Sequence, residues 1–124
     1  MIESAATLYS VIVAFVVLFQ FCLIGGAPWG RLTQGGQHDG ALPASGRIVA
    51  GISVPLLIFM AAGIDSAAGT FPHWPLWTGW LALGVQSLGT LMNWITPSRP
   101  ERRLWGPITS VMLGLASWVV LNGA

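Results

Sequence analysis

The chain has 124 residues, of which 54% are hydrophobic and 7% are charged. A soluble domain usually has about a quarter charged residues, so this composition cannot cover a water-facing surface and predicts a protein embedded in lipid. The formal net charge of +1 and the lack of a basic groove argue against a nucleic-acid-binding protein.

Four uncharged apolar stretches follow one another along the chain. They cover residues 5–24, 48–64, 76–95 and 104–121. A membrane-spanning helix needs about 20 apolar residues, with a range of about 17 to 25, and barrel strands would be shorter and alternating. The sequence therefore predicts an all-α fold, a four-helix transmembrane bundle that forms a single domain over residues 1–124.

The first stretch is predicted to be a membrane helix and not a cleaved signal peptide. Signal peptides begin with a basic region, whereas Glu3 and no Lys or Arg precede this stretch. Cys22 lies within it and is the one cysteine of the chain. It cannot form an intramolecular disulfide and is predicted to be a small buried apolar residue.

The first connection, residues 25–47, is rich in Gly and Pro and contains Arg31 and Arg47. Successive glycines such as Gly35 and Gly36 can turn their N–H groups toward a single anion. The segment lacks the G-x-x-x-x-G-K-[ST] pattern of a nucleotide-binding loop. Two interpretations stay open, an anion-binding turn or a tight connector whose arginines lie at lipid headgroups.

Uncharged polar residues lie inside the predicted spans. Gln20 is near the end of the first, while Gln86, Thr90 and Asn93 share one face of the third at spacings i, i+4 and i+7. Such side chains commonly form hydrogen bonds between membrane helices, and the alternative is a polar-lined cavity or pore. No ionisable residue lies inside a predicted span, which disfavours a proton pump or a transporter of charged substrates.

Two features predict how the second and fourth helices pack. Pro55 removes a backbone donor and predicts a kink. Gly106, Ser110 and Gly114 repeat every four residues, a pattern that lets helix backbones approach closely. We expect it to serve packing within the bundle, with a homo-oligomer contact as the alternative.

All five arginines lie on one side of the predicted bundle, in or next to the first and third connections. Positive residues in short loops stay in the cytoplasm. The sequence therefore predicts a multi-pass membrane protein with both termini outside. Five Arg and no Lys indicate a GC-rich bacterial genome, so the expected location is the bacterial inner membrane.

Glu101 is the one acidic residue of the third connection, and it lies beside Arg102 and Arg103. It is expected to cap the start of the fourth helix, where negative charge is favoured, or to pair with Arg47 or Arg31. The two cytoplasmic connections are predicted to form one polar surface for membrane lipids with anionic headgroups or for a partner membrane protein. Its residues are Arg31, Gly35, Gly36, Arg47, Arg99, Glu101, Arg102 and Arg103.

Chemistry on a metal or cofactor is not predicted. His38 and His73 fall on opposite sides of the predicted bundle, so one chain cannot use both as ligands, and one His with one Asp is too small a set for a metal site. No nucleophile and base are paired. The predicted protein is non-enzymatic, and the alternative function is a small channel or transporter subunit with a polar path along Gln20, Gln86, Thr90 and Asn93.

Two motifs at the cytoplasmic connections resemble an uncharacterised family of small four-span bacterial membrane proteins. The motifs have the forms Gly-x-Pro-x-Gly, Gly-Gly, Leu-Pro and Arg, and Met-Asn-x-Ile-[Ser/Thr]-x-Ser-x-Pro-Glu-Arg. They consist here of Gly26, Pro28, Gly30, Gly35, Gly36, Leu42, Pro43 and Arg47, and of Met92, Asn93, Ile95, Thr96, Ser98, Pro100, Glu101 and Arg102, followed by Pro107. Thr96 stands where the family usually has Ser. The resemblance implies the four-span architecture and no activity.

Overall fold

The computed structural model describes residues 1–123, which form four α-helices and no strand. The helices are α1 (Ile2–Ile24), α2 (Ala44–Ala67), α3 (Leu76–Ile95) and α4 (Arg99–Gly123). Two short 3-10 turns, Gly30–Leu32 and Gln34–Gly36, lie in the connection between α1 and α2. The predicted all-α fold is confirmed.

Three of the helices extend beyond the uncharged stretches. Arg47 lies in the first turn of α2 and Asp65 in its last turns, and Arg99 begins α4. Charged side chains at helix ends reach water or headgroups while their backbone stays helical, so the uncharged stretches are shorter than these three helices. α2 continues through Pro55, and α3 has the bounds expected from the sequence.

The four helices run up, down, up and down, with each packed against the next and α4 against α1. The ring of Trp94, at the end of α3, lies against Gly106, near the start of α4. At the opposite end of the bundle, Gly123 approaches Ala67 and Ile2. Both described chain ends therefore lie beside the α2–α3 connection, and the other two connections lie at the far end.

Small residues fill the half of the bundle near the chain ends. A Cβ atom added at Gly63 would lie 2.8 Å from the Thr78 carbonyl oxygen, and one added at Gly79 would lie 2.9 Å from Cβ of Ala67. This close approach of α2 and α3 is typical of membrane helices, which associate by packing and not by the hydrophobic effect. The core there also buries Tyr9, Ile64, Ala82, Ala116 and Val119.

The outer surface of the bundle is apolar. Phe15, Ile52 and Val111 are more than half exposed, which is unfavourable in water and expected in lipid. By length and composition, α1, α2 and α4 can each cross a membrane. α3, which contains Gln86, Asn93 and three tryptophans, is not among the helices that meet this criterion.

The repeat of small residues along α4 is used within the bundle at two of its three positions. A Cβ atom added at Gly106 would lie 3.1 Å from the Trp94 ring, and the Trp94 Nε1–H donates to Ser110 Oγ at 2.8 Å. Gly114 faces open space. The expected role in packing is confirmed for Gly106 and Ser110, and the oligomer contact stays a prediction.

The contact between α2 and α3 predicts different results at two helical glycines. Gly63→Ala should destabilise the bundle by about 1–3 kcal/mol because the new methyl group meets backbone. Gly84→Ala is the control, since its Cβ would meet nothing within 4 Å, and it should leave stability unchanged or slightly raised. Thermal unfolding in lipid nanodiscs measures both, and equal midpoints for the two variants would contradict the packing described here.

Candidate functional site

The first connection is fastened to the start of α4 by three hydrogen bonds. The Ser98 hydroxyl donates to the Arg31 carbonyl at 2.6 Å, and the Trp105 Nε1–H donates to the Leu32 carbonyl at 2.8 Å. The Gly35 N–H donates to the Glu101 carboxylate at 3.4 Å. The two connections that the sequence assigns to one side therefore pack into one structure.

Gly35 and Gly36 allow the connection to turn at this contact. Both have positive φ, +78° and +69°, a region that side chains with a Cβ atom rarely adopt. A Cβ atom on Gly36 would also lie 2.6 Å from that of Ser98. The Gly35 N–H is used by the chain's own carboxylate, so the structure favours the tight connector over the anion-binding turn.

Glu101 is 7% exposed and lies in the first turn of α4. Its carboxylate accepts hydrogen bonds from the Thr96 hydroxyl and from Gly35, and its own N–H donates to Ser98 Oγ at 3.3 Å. The expected role at the helix start is confirmed, in a variant of the Ser-x-x-Glu capping box.

The expected pairing of Glu101 with Arg47 or Arg31 is wrong. Arg31 lies 3.8 Å from Asp39, where both side chains are exposed, and Arg47 Nε donates to the Leu42 carbonyl at 2.9 Å. Within residues 1–123, Glu101 has no ion-pair partner. Its carboxylate is therefore buried with neutral donors alone.

The arginines lie on the outside of the same end of the bundle. Arg31, Arg47, Arg99 and Arg103 are exposed, and Arg102 is half-buried. Trp29 and Trp94, both partly exposed, lie at the same end, and tryptophan rings prefer the headgroup level of a bilayer. The arrangement presents guanidinium groups and amphipathic rings together.

Gln86 and Thr90 join three helices. The Tyr9 hydroxyl donates to Gln86 Oε1 at 2.9 Å, and Gln86 Nε2 donates to Thr90 Oγ1 at 3.2 Å and to the Thr109 carbonyl at 3.3 Å. Thr90 Oγ1 also lies 3.1 Å from the Thr109 carbonyl. The interpretation as hydrogen bonds between helices is confirmed for these two residues.

Asn93 and Gln20 behave differently from Gln86 and Thr90. Asn93 Nδ2 donates to the Gly89 carbonyl of its own helix at 2.7 Å. The Gln20 amide has no hydrogen-bond partner in the part of the chain that the structure describes. Both side chains face a cavity, so these two fit the second interpretation, polar groups that line a space between helices.

The cavity has a volume of about 300 Å³ and lies between all four helices in the half of the bundle near the first connection. Its polar lining comes from Gln20, Thr33, Ser53, Gln86, Asn93, Glu101 and Thr109. Its apolar lining includes Phe19, Leu57, Met60, Trp105 and Met112. A few polar groups on apolar walls are typical of sites for small molecules.

Several residues of this region were not expected from the sequence. The mid-helix hydroxyl of Tyr9 needs a buried partner, and Ser98 with Glu101 has capping spacing, so both gave a local signal. No local sequence signal identifies Thr109 or Trp105, because their hydrogen-bond partners are 19 and 73 residues away.

No protein-family model, curated protein or solved structure matches this chain. The resemblance to a family of four-span proteins stays a prediction, and the site is interpreted from its own geometry.

The Tyr9–Gln86 hydrogen bond is testable by a double-mutant cycle. Tyr9→Phe and Gln86→Leu should each lower stability, and the coupling between them should be about 0.6–1.7 kcal/mol, the range for hydrogen bonds between membrane helices. Unfolding of the two single variants and the double variant in nanodiscs gives this value. Additive effects would mean that the bond contributes nothing.

Proposed function

We propose that the chain is a non-enzymatic multi-pass protein of a bacterial inner membrane whose two cytoplasmic connections form one polar surface for anionic lipid headgroups. The observation that supports this most directly is the set of hydrogen bonds that join the first connection to Ser98, Glu101 and Trp105, in which Ser98 and Trp105 donate and Glu101 accepts. They bring arginines from three separate segments to one end of the bundle.

Charge and exposure favour lipid over a protein partner. The arginines are at helix ends or in the connection, next to exposed apolar residues such as Ile48 and Ile95. Basic residues beside membrane helices attract anionic headgroups by about 1 kcal/mol each. A partner membrane protein bound at the same surface is the other outcome of the lipid experiment.

In this proposal α3 is the fourth span and both termini lie outside. α3 has 20 residues, enough for a span, and it lies between two helices that are apolar enough to cross. Its polar side chains Gln86 and Thr90 point inward and are satisfied there, so lipid would meet mainly its leucines and tryptophans.

Orientation is measured with single cysteines in a Cys22→Ala background. Gln37→Cys and Pro97→Cys should react with a membrane-impermeant maleimide only from the cytoplasmic side, and Phe71→Cys only from the outside. All three positions are exposed. If Phe71→Cys and Pro97→Cys react from the same side, α3 does not cross.

Lipid binding is measured by native mass spectrometry of protein released from nanodiscs that contain anionic and zwitterionic lipids. The double change Arg99→Gln and Arg103→Gln should reduce retained anionic lipid, with a loss of about 1 kcal/mol per arginine. Both side chains are exposed, and neither makes a hydrogen bond or an ion pair within residues 1–123. The fold should therefore be unaffected. Gln37→Ala, an uncharged change on the same surface, is the control, and equal lipid retention in both variants would contradict the proposal.

The cavity favours a second candidate function, a small channel or transporter subunit. It brings Gln20, Gln86 and Asn93 to one space, as a polar path requires. The opposite half of the bundle is filled by Tyr9, Val13 and Ile64, all nearly inaccessible. A continuous path would therefore require rearrangement of that half, which favours the first candidate.

A further inference from the structure

Among the described residues, Glu101 is the one residue with a formally charged side chain that lines the cavity. It is 7% exposed and its partners, Thr96 and Gly35, are neutral donors. A buried carboxylate without a cation is unfavourable unless its charge is compensated. All five arginines lie at the same end of the bundle as Glu101, but none of them lines the cavity.

Two aromatic residues line the same cavity as Glu101. Trp105 is one helical turn after Glu101 on the same face of α4, and its ring meets that of Phe19 edge to face with a centroid distance of 4.9 Å. Both rings line the cavity. A carboxylate beside aromatic faces is the combination that binds organic ammonium groups, by charge and by cation–π attraction.

The rest of the lining sets the size and character of a ligand. Beyond the carboxylate, Leu57, Met60 and Met112 form an apolar wall, and methionine side chains adapt to ligands of different shape. Gln20 and Asn93 leave amide oxygens free to accept hydrogen bonds, which an ammonium N–H can donate. A volume of about 300 Å³ is at the lower end of ligand sites.

Two residues of the cavity lining, one on α2 and one on α3, are partly accessible from outside the bundle. Leu56 lines the cavity and is 44% exposed, and a Cβ atom added at Gly89, on the facing wall, would meet nothing within 4 Å. In a bilayer these positions face lipid, so a ligand that partitions into the membrane reaches the cavity without crossing the arginine surface.

We propose that this cavity binds small amphiphilic organic cations, with the cationic group at Glu101, Phe19 and Trp105 and the apolar part against Leu57, Met60 and Met112. This site shares Glu101 with the contacts that join the two connections, but it takes a cation inside the bundle and not an anionic headgroup on the surface.

The test is calorimetric titration of 2-phenylethylammonium into the protein in nanodiscs of zwitterionic lipid, with empty nanodiscs subtracted. The wild-type protein should show saturable binding, and phenylacetate, an anion of similar size, should show none. Glu101→Gln should raise the dissociation constant about tenfold or more, as expected for loss of a close charge pair. Asp65→Asn, a change at the helix-end carboxylate that accepts from Ser10 at the other end of the bundle, is the matched control and should bind like the wild type.

Glu101→Gln also alters the contacts of Thr96 and Gly35, so a second variant keeps those contacts intact. Ser53→Phe fills the cavity from α2, where the Ser53 hydroxyl bonds only its own helix, and it should abolish binding. Absence of saturable binding to the wild type overturns the proposal. Equal affinity of a folded Glu101→Gln, wild-type affinity of Ser53→Phe, or equal binding of phenylacetate also overturns it.

Discussion

The contacts of the Glu101 carboxylate determine the structure of one end of this bundle. Thr96 donates to it from the end of α3, and Gly35 donates to it from the first connection. Because the carboxylate lies in the first turn of α4, it also interacts favourably with the helix dipole. One side chain thus fixes the α3–α4 turn, the position of the first connection and the floor of the cavity. The position of the Glu101 carboxylate is therefore more constrained than the positions of the exposed arginine side chains around it.

The two halves of the bundle differ because their side chains differ in size. Near the chain ends, Gly63, Gly79 and Ala82 let α2 and α3 approach to backbone contact. At the other end, Phe19 and Trp105 hold α1 and α4 apart by an aromatic pair, and a Cβ atom added at Gly89 of α3 would meet nothing within 4 Å. The space that remains is the cavity. The Tyr9–Gln86–Thr109 hydrogen bonds lie at the boundary between the filled half and the hollow half.

The sequence predicts the helical fold well, because apolar stretches long enough to span a membrane leave few alternatives. It underestimates the helices at their ends, where Arg47 and Arg99 are helical and charged. The site is harder to predict. In the sequence, Glu101 is a loop residue among arginines. Its capping spacing with Ser98 is a local signal, but its burial depends on Gly35, which is 66 residues away. Gln86 has hydrogen-bond partners on neighbouring helices, whereas Gln20 faces a cavity. This difference follows from helix packing, which one sequence does not specify.

At this end of the bundle, the positive and the negative side chains lie in different environments. The arginines are exposed, where solvent and salt screen them, and Glu101 is buried, where screening is weak and each interaction is stronger. A cation that approached the cavity from water would meet the arginines first and be repelled. One that entered from the bilayer between α2 and α3 would meet Leu56 and Asn93 before the carboxylate. Under the proposed function, the charge distribution that attracts anionic headgroups at the surface also favours entry of cations from the membrane over entry from the water at the arginine end of the bundle.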